Sequence, residues 1–523
     1  MTDDTEPSSL AEIALRRAER SPDAPFILTI DEEAPYAVRT RTYGQMAARA
    51  ARLASVLADL GVAPGEAVGC YLSNAPSWVV ATFGVWWNRS AVAAVGTLLP
   101  GGEADRLFQL AGVKVVIAQG DAPELPGDYR MVRVDAEGVV EGEPDPGDTP
   151  WKDPGIELPD PADLALAIFT SGTTGKPKGV THTHDDVIAS SKRTAASYAR
   201  NGEYRPDAAP AHLAPGVIFN PFGHMAGFNR LGLRLWVGRA LVLVPRFRIP
   251  AVRALLANFP VDSLQLTPTM IHMLATCEEE LDLSSVKYVT SGTAPLAMTT
   301  RERFEQRYGV PIMQAYGMSE TGGVSAERYD DVIAGRRGPG SVGRINQGVE
   351  IRFRRLDDDR PDGEGEILVR SDEITSSFIG GAPVPVDDEG WFSTGDVGRL
   401  EDGILYITGR VQEKIIVGGF NVYPAEVEEA ARQSPLVRDA VVVALPDERL
   451  GEIPVAGVVW AGQPDEEALL AEMRDALASY KIPRAVFALE AVPLTPRDKV
   501  DRPRAAELAR TALGVPNEEG AGR

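Results

Sequence analysis

Cysteine is scarce in this sequence of 523 residues, which contains only Cys70 and Cys277. The two cysteines lie far apart and lack metal-ligand spacing, which excludes a disulfide-dense secreted scaffold and favours a reducing compartment. Positive charge is also in short supply, since 53 Lys and Arg face 75 Asp and Glu. The resulting net charge of -22 argues against nucleic-acid binding, which needs clustered Lys and Arg to neutralise phosphates.

A long apolar run is missing as well. The most apolar stretch, residues 79–87, is far shorter than the roughly 20 residues that span a bilayer. Residues 1–7 are acidic, whereas an export signal would be basic and then apolar. We therefore expect a soluble, cytoplasmic protein with no membrane partner.

The length of the chain predicts two or more domains, and its hydrophobic content of 44% is ample for their cores. Apolar residues recur at helical spacing over residues 43–60, and a strand-like segment follows over residues 67–72. Further strand-like segments predict α/β layers, and short alternating strands from Val349 onward indicate a β-rich subdomain. We place a domain boundary after Arg410, which separates a large α/β domain over residues 1–410 from a small α+β domain over residues 411–523.

A segment rich in Gly, Thr, Ser and Lys follows the apolar, strand-like residues 164–169. Residues 170–179 read Thr-Ser-Gly-Thr-Thr-Gly-Lys-Pro-Lys-Gly. Glycines let backbone N–H groups approach an anion, hydroxyls add donors, and the two lysines suit a triphosphate. A Walker loop has four residues between its glycines and Ser or Thr after the Lys. Here two residues separate Gly172 from Gly175 and Pro177 follows Lys176, so this is a different phosphate loop.

Residues 170–179 resemble the signature of the adenylate-forming superfamily, which includes acyl-CoA synthetases, peptide-synthetase adenylation domains and luciferases. Further matches follow in the family's order, from about Thr42 to Arg502, and are closest to the acyl-CoA and aryl-CoA ligase branch. The resemblance implies ATP, Mg²⁺ and CoA as cofactors and a small, mobile C-terminal domain. It also implies nucleotide-binding residues in this loop, namely Thr170, Ser171, Gly172, Thr173, Thr174 and Lys178.

Three later segments extend the resemblance on the nucleotide side. Residues 292–295 resemble the adenine-pocket segment, and residues 314–321 resemble the motif that follows it. In the family the position of Tyr316 stacks on adenine, that of Ser319 contacts phosphate and that of Glu320 holds Mg²⁺, roles that suit an aromatic face and a carboxylate. Asp396 resembles the family's ribose-binding residue, and Arg410 resembles the arginine that usually accompanies it. The residues implied here are Gly292, Thr293, Ala294, Gln314, Ala315, Tyr316, Gly317, Ser319, Glu320, Asp396 and Arg410.

Two C-terminal segments resemble functional motifs of the same branch. Gly418 and Gly419 are similar to the loop that the pantetheine arm of CoA passes. Residues 493–502 resemble the family's final motif, which implies that Lys499 is the catalytic lysine that bridges the acid and the α-phosphate. Asp498 replaces the usual Gly before this lysine and would lower adenylation efficiency unless it points away or pairs with Arg497 or Arg502. Gln412 stands at the hinge, where relatives usually carry Asp or Lys.

The acid pocket is implied at residues 219–228, where His224 resembles the residue near the acyl carbonyl. This segment has no Asp for the ammonium group of an amino acid, which favours a neutral carboxylic acid, aromatic or medium-size and apolar.

The resemblance thus predicts an ATP-dependent acid–CoA ligase with Lys499, Glu320 and His224 as catalytic residues. It would form an acyl-adenylate, then a thioester, and release pyrophosphate and AMP. Three alternatives stay open: transfer of the acid to a carrier protein or an amine, diazotase-like activation of nitrite, and a nucleotide-binding protein whose catalysis has decayed. The sequence does not name the acid or the oligomeric state, and a homodimer is compatible with it.

Overall fold

The computed structural model describes residues 6–33, 36–171, 177–198, 215–338, 340–356, 363–375, 377–495 and 500–515. Within these ranges the chain forms thirteen α-helices. In chain order they are α1 (Leu10–Arg20), α2 (Tyr43–Asp59), α3 (Pro76–Trp87), α4 (Gly101–Leu110), α5 (His184–Tyr198), α6 (Met225–Val237), α7 (Ile249–Asn258), α8 (Pro268–Thr276), α9 (Met298–Tyr308), α10 (Tyr329–Ile333), α11 (Pro424–Gln433), α12 (Glu466–Ala476) and α13 (Arg502–Leu513).

The same ranges contain 24 β-strands. In chain order they are β1 (Pro25–Ile30), β2 (Val38–Thr42), β3 (Ala67–Leu72), β4 (Ala91–Gly96), β5 (Val115–Gln119), β6 (Arg130–Val134), β7 (Leu164–Ser171), β8 (Pro177–Thr183), β9 (Gly216–Ile218), β10 (Leu241–Leu243), β11 (Ser263–Leu266), β12 (Tyr288–Ser291), β13 (Ile312–Met318), β14 (Gly322–Ala326), β15 (Ser341–Ile345), β16 (Glu350–Arg354), β17 (Glu364–Arg370), β18 (Phe392–Glu401), β19 (Ile404–Arg410), β20 (Ile415–Val417), β21 (Phe420–Val422), β22 (Val437–Asp447), β23 (Gly451–Trp460) and β24 (Ala485–Ala488).

A six-stranded sheet in the order β6-β5-β3-β4-β7-β8 forms the first α/β layer. Helices α2 and α3 pack against each other beside it. Helix α2 begins where Thr42 and Gln45 exchange side-chain and backbone hydrogen bonds in a capping box, which confirms the helix predicted over residues 43–60. All 12 residues of α3 are buried, so the apolar stretch at residues 79–87 belongs to a core helix. Across the described ranges, no helix combines the length and apolar character needed to cross a membrane.

A nine-stranded sheet in the order β11-β12-β13-β14-β15-β19-β18-β17-β16 forms the second layer. Strands β11, β12 and β13 are parallel, and the later neighbours pair antiparallel. The β-rich segment predicted from Val349 is present, and its strands share this sheet with the α/β strands before it. As a result, the end of β12, the strand β13 and the strand pair β18–β19 present their residues on one continuous surface. A four-stranded sheet, β2-β1-β10-β9, completes the large domain.

The small domain contains a five-stranded sheet in the order β21-β20-β23-β22, with β24 paired to β23. Its two described hydrophobic clusters draw their buried residues only from Ile415 onward. Helix α11 covers β22 and also contacts α9 and β19 of the large domain. The predicted fold class, a large α/β domain with a β-rich part followed by a small α+β domain, is therefore confirmed.

Candidate active site

A broad cleft between the two domains collects many of the residues that the sequence predicts to be functional. Its volume is about 3610 Å³, larger than the roughly 300–1,000 Å³ of a typical ligand pocket. The small domain contributes residues such as Phe420 and Asn421 to its wall. The predicted residues that line the cleft are Thr170, Lys178, His224, Gly292, Thr293, Ala294, Gln314, Ala315, Tyr316, Gly317, Ser319, Glu320, Asp396 and Arg410.

The predicted phosphate loop connects the antiparallel strands β7 and β8. Thr170 and Lys178 are paired across these strands, and Ser171 ends β7. Lys178 is half-buried, and its ammonium lies 5.2 Å from the centre of the Phe378 ring, a cation–π contact. This contact holds a positive charge on the cleft wall beside the loop. The connecting residues lie outside the described part of the chain, and with them the predicted ligands Gly172, Thr173 and Thr174.

Tyr316, Asp396 and Arg410 form a hydrogen-bonded group that also lines the cleft. The Tyr316 hydroxyl donates to Asp396 Oδ2 at 2.7 Å, and Arg410 Nε donates to Asp396 Oδ1 at 2.6 Å. Burial, with the nearby Asp396 charge, raises the pKa of Tyr316 well above its usual value, so the phenol stays protonated as a donor. Each carboxylate oxygen has two lone pairs. With one lone pair on each used by these donors, Asp396 can still accept from two ribose hydroxyls.

A second carboxylate, missed by the sequence analysis, holds the turn that presents Asp396. Buried Glu366 accepts from the Gly395 backbone N–H at 3.2 Å and from the Ser393 hydroxyl. Within the turn, the Asp396 backbone N–H donates to the Thr394 hydroxyl at 3.0 Å. Glu366 lies 27 residues before Ser393 in the sequence, and only the pairing of β17 with β18 brings them together. No local sequence signal could have identified it.

Two backbone features shape the part of the cleft where the predicted adenine-pocket segments lie. Thr293 has a φ of +74°, a costly conformation for a β-branched residue that occurs mainly at functional sites. At Gly317 a Cβ atom would lie 2.2 Å from the Gly322 carbonyl oxygen, so no side chain fits there. Strand β13 therefore passes close to β14 at this position.

Glu320 lies in the turn between β13 and β14, next to the cleft-lining Ser319. The Thr170 hydroxyl is 3.5 Å from Glu320 Oε1, which links this turn to the phosphate loop. The Thr375 backbone N–H donates to the Glu320 carbonyl at 2.9 Å and fixes the turn. Mg²⁺ typically takes one or two carboxylates together with substrate phosphates, so the oxygen donors here fit this ion. The described ranges contain no group of three or more His, Cys, Asp or Glu that could hold a metal.

His224 directly precedes α6, is half-buried and faces the cleft. Its backbone N–H donates to the Pro221 carbonyl at 3.2 Å, which fixes the start of the helix. Leu233 on α6 lines the cleft, and so do Arg230 and Arg234, which the sequence analysis did not identify. Their spacing of four residues, which places side chains on one helix face, was the signal that could have found them.

Gly418 and Gly419 form the two-residue turn between β20 and β21, with φ values of +58° and +93°. Such hairpin turns require left-handed conformations, so turn geometry by itself accounts for both glycines. The neighbouring Phe420 lines the cleft, and so does Asn421. A contact between the glycines and CoA stays a prediction.

Lys499 and Asp498 lie outside the described residues. The flanking Thr495 and Val500 line the cleft, so the chain approaches it on both sides of this segment. Arg502, one of the two partners considered for Asp498, donates from Nε to Glu413 at 2.9 Å and also donates to Glu428. Arg502 is thus bound to carboxylates that belong to the small domain's own framework.

Known proteins with similar sequences include two CoA ligases. The chain is 30% identical over 481 residues to long-chain-fatty-acid–CoA ligase FadD13 of Mycobacterium tuberculosis. This alignment covers 88% of this chain and 91% of the ligase. It is also 30% identical over 495 residues to indoleacetate–CoA ligase of Aromatoleum aromaticum, and that alignment covers 90% of this chain and 93% of the ligase.

A solved structure extends the comparison to the fold. The o-succinylbenzoate CoA synthetase (MenE) of Bacillus subtilis, in complex with the acyl-adenylate intermediate OSB-AMP, has a TM-score of 0.78 and 25% identity. The similarity covers 94% of this chain and 97% of that one. The same synthetase has been solved with ATP and a magnesium ion.

Two family models match most of the chain. Residues 15–379 match the AMP-binding enzyme family, and residues 426–499 match the AMP-binding enzyme C-terminal domain. Both domains of the structure are represented, and the cleft between them holds the residues that the sequence predicts to bind nucleotide. The chain therefore belongs to the AMP-binding enzyme family.

Proposed function

We propose that this protein is an ATP-dependent carboxylic acid–CoA ligase that forms an acyl-adenylate and then an acyl-CoA thioester. The observation that carries the proposal is the hydrogen-bonded group of Tyr316, Asp396 and Arg410, which faces the same cleft as Thr170 and Glu320. This arrangement gathers an aromatic face, a ribose acceptor and phosphate ligands in one cleft. Adenylation of an acid requires these three functions together.

In the first half-reaction a carboxylate oxygen of the acid attacks the α-phosphorus of ATP, and pyrophosphate leaves with the electrons of the broken bond. Tyr316 and Asp396 orient the nucleoside, and Lys178 contributes positive charge to the phosphates. Lys499 stabilises the negative charge that develops between the carboxylate and the α-phosphate. When bound at Glu320, Mg²⁺ would supply further positive charge to the phosphates.

In the second half-reaction the CoA thiolate attacks the acyl carbon, and AMP leaves. His224 lies beside the acyl carbonyl in this proposal. Because the lysine and the thiol must reach the same acyl group in turn, the small domain has to change its orientation between the two steps.

The hydrogen bonds around residue 412 support a hinge at this position. Arg410 is bound to Asp396 in the large domain, and Glu413 is bound to Arg502 in the small domain. Gln412 lies between these two anchors and is exposed. We therefore place the pivot at Gln412 and the domain boundary after Arg410.

We further propose a carboxylic acid with an aromatic or medium-size apolar body as the substrate. Support comes from apolar side chains that line the same cleft as His224, such as Met225, Leu233 and Met313. We also propose a cytoplasmic location, because both cysteines are free thiols, as expected in a reducing compartment.

Pyrophosphate release with a panel of acids, measured with and without CoA, tests the proposal. We expect acid-dependent pyrophosphate release, and acyl-CoA formation only when CoA is present. Efficient CoA-independent transfer to an amine or a carrier protein would contradict the thioester product. Absence of AMP formation with every acid, and with nitrite, would contradict adenylation itself.

A further inference from the structure

A carboxylate outside the sequence motifs lies beside the turn that carries Glu320. Glu373 follows β17, and only 10% of its side chain is exposed. A Cβ atom at Gly322 would lie 2.2 Å from Glu373 Oε2, so the carboxylate packs directly against the backbone of the turn. It also interacts with the Gly323 backbone N–H. Glu373 therefore contacts the start of β14, immediately after the turn from which Glu320 projects.

An ion pair with Arg193 orients the Glu373 side chain. Arg193 Nε pairs with Glu373 Oε1, while Oε2 is the oxygen that packs against the turn. Arg193 belongs to α5, which begins immediately after β8, the strand that leaves the phosphate loop. At this junction Thr183 and Asp186 exchange hydrogen bonds of 2.8 and 3.1 Å, which fix the helix to the strand. The ion pair thus connects the Glu320 turn to the phosphate-loop strand through α5.

A second connection, slightly further along the chain, acts on the same turn. The Thr375 backbone N–H donates to the Glu320 carbonyl at 2.9 Å. The Thr375 hydroxyl donates to the Thr181 carbonyl on β8. The segment that carries Glu373 is therefore anchored on β8 as well as on the turn, which gives the Glu373 carboxylate a defined position.

The direction of the Glu320 side chain depends on the backbone of its turn. Within the described part of the chain, the Glu320 carboxylate has one hydrogen bond, a long one of 3.5 Å from the Thr170 hydroxyl. Gly322 has a φ of +67°, and glycine is the residue with the largest conformational freedom. Such a turn needs contacts that hold it in one conformation. Groups that orient a metal ligand typically change metal affinity by roughly 10- to 100-fold.

We propose that Glu373 is a positioning residue for Mg²⁺ binding: paired with Arg193, it holds the turn from which Glu320 reaches the ion. The inference rests on the proposed ligase function, in which Glu320 binds the Mg²⁺ that accompanies ATP. It assigns no contact between Glu373 and the ion itself. Because Glu373 acts through the turn, the affinity for ATP should depend on Glu373 only when the metal is present.

Replacement of Arg193 distinguishes the position of Glu373 from its charge. If Glu373 acted only through its negative field, removal of the Arg193 charge would strengthen binding of the cation. If Glu373 acts by holding the turn, loss of Arg193 releases the carboxylate and weakens binding. Arg193→Met therefore separates the two mechanisms by the sign of its effect. The Arg193 side chain is 40% exposed, so this change leaves the hydrophobic core intact.

Calorimetric titration of ATP, once in excess Mg²⁺ and once in EDTA, tests this inference through the ratio of the two Kd values. We expect Mg²⁺ to tighten ATP binding to the wild-type protein by at least about tenfold, and E373Q to lose most of this gain. The Kd in EDTA should change by less than about threefold, because the distant contacts of Tyr316 and Asp396 with the nucleoside are untouched. R193M should reduce the gain by at least about threefold. The double variant should match E373Q within about twofold, since both changes break one ion pair.

Asp262→Asn is the matched control, because Asp262 lines the same cleft and pairs with Arg239 at 3.2 Å. D262N should keep the Mg²⁺ gain within about twofold. R193M decides the question if E373Q does not fold. An unchanged gain in a folded Glu373 or Arg193 variant, a larger gain in R193M, or loss of the gain in D262N as well would overturn the inference. An equal loss of affinity in Mg²⁺ and in EDTA would also overturn it, because that result indicates a general structural role.

Measurement of AMP and pyrophosphate formation on the same preparations separates this inference from the ligase proposal. A Mg²⁺ gain that depends on Glu373, in a protein that forms no AMP from any acid, supports the positioning role and defeats the ligase proposal. Acid-dependent pyrophosphate release by a protein whose ATP affinity does not respond to Mg²⁺ has the opposite meaning. It overturns the positioning role and leaves the ligase activity in place.

Discussion

Replacement of Asp396 by Asn should selectively remove recognition of the ribose. The change keeps the size of the side chain but removes its charge and one of its two acceptor oxygens. In the structure both oxygens already accept a protein donor, one from Tyr316 and one from Arg410. An amide at this position cannot serve these two donors and two ribose hydroxyls together, because its nitrogen donates instead of accepting.

The expected size of the effect follows from the hydrogen bonds involved. A hydrogen bond to a charged group contributes about 1.5–3 kcal/mol. Loss of one such ribose contact, with partial weakening of the second, should cost roughly 2–4 kcal/mol in transition-state binding. This corresponds to a fall of roughly 30- to 10³-fold in kcat/KM for ATP.

ATP–pyrophosphate exchange with ATP and with 2′-deoxy-ATP provides the measurement. The wild-type protein should discriminate against the deoxy analogue by roughly tenfold or more, since the analogue lacks one of the two hydroxyls. D396N should lose most of this discrimination, because its contact with that hydroxyl is already weakened. If D396N discriminates between the two nucleotides as strongly as the wild-type protein, Asp396 does not bind the ribose and the reasoning is refuted.

Three further substitutions test other parts of the structure. Lys499→Ala should abolish acyl-adenylate formation while a supplied adenylate is still converted to thioester, as single-turnover assays can show. Gln412→Pro should slow thioester formation by more than about tenfold and adenylation by less than about threefold, because proline fixes φ at the pivot. His184 is buried, and burial lowers its pKa from 6.5 to about 4. It therefore supports stability fully above pH 6.5, and that support is lost as the pH falls towards 4. His184→Leu should reduce the loss of unfolding free energy between pH 7 and pH 5 by roughly 2 kcal/mol, measured by urea denaturation.

Each of these predictions has an outcome that contradicts it. Loss of both half-reactions in K499A would argue against a role confined to adenylation. Equal slowing of both half-reactions in Q412P would indicate a general structural defect instead of blocked rotation, and Gln412→Ala serves as its control. An unchanged pH slope in H184L would mean that His184 is already accessible to protons in the folded protein.

The sequence predicted those parts of the fold that depend on local pattern. The apolar spacing over residues 43–60 has its counterpart in α2, and the strand before the phosphate loop is present as β7. Ordered motifs also predicted that Tyr316, Asp396 and Arg410 would act together, although they come from three different strands. These motifs follow one another in the order seen in the family. That shared order indicated that residues far apart in the sequence belong to one site, which a single motif could not indicate.

The sequence did not reveal contacts that depend on tertiary packing. Glu366 supports the Asp396 turn only because β17 pairs with β18, and neither residue has a distinctive local pattern. Arg230 lies beyond the segment predicted to form the acid pocket, and its buried contacts are with Gln265 and Thr290 in other strands. Residues of this kind become visible only when the neighbours across the sheet are known.

The shared carboxylate of Asp396 has a thermodynamic consequence for turnover. The same group would hold the ribose and also binds Arg410, which stands immediately before the pivot region. Any nucleotide that strengthens or weakens the bond between Asp396 and Arg410 changes the relative free energy of the two domain orientations. By reciprocity, each orientation must change nucleotide affinity by the same factor. The departure of pyrophosphate and the release of AMP would then be coupled to domain rotation through one side chain.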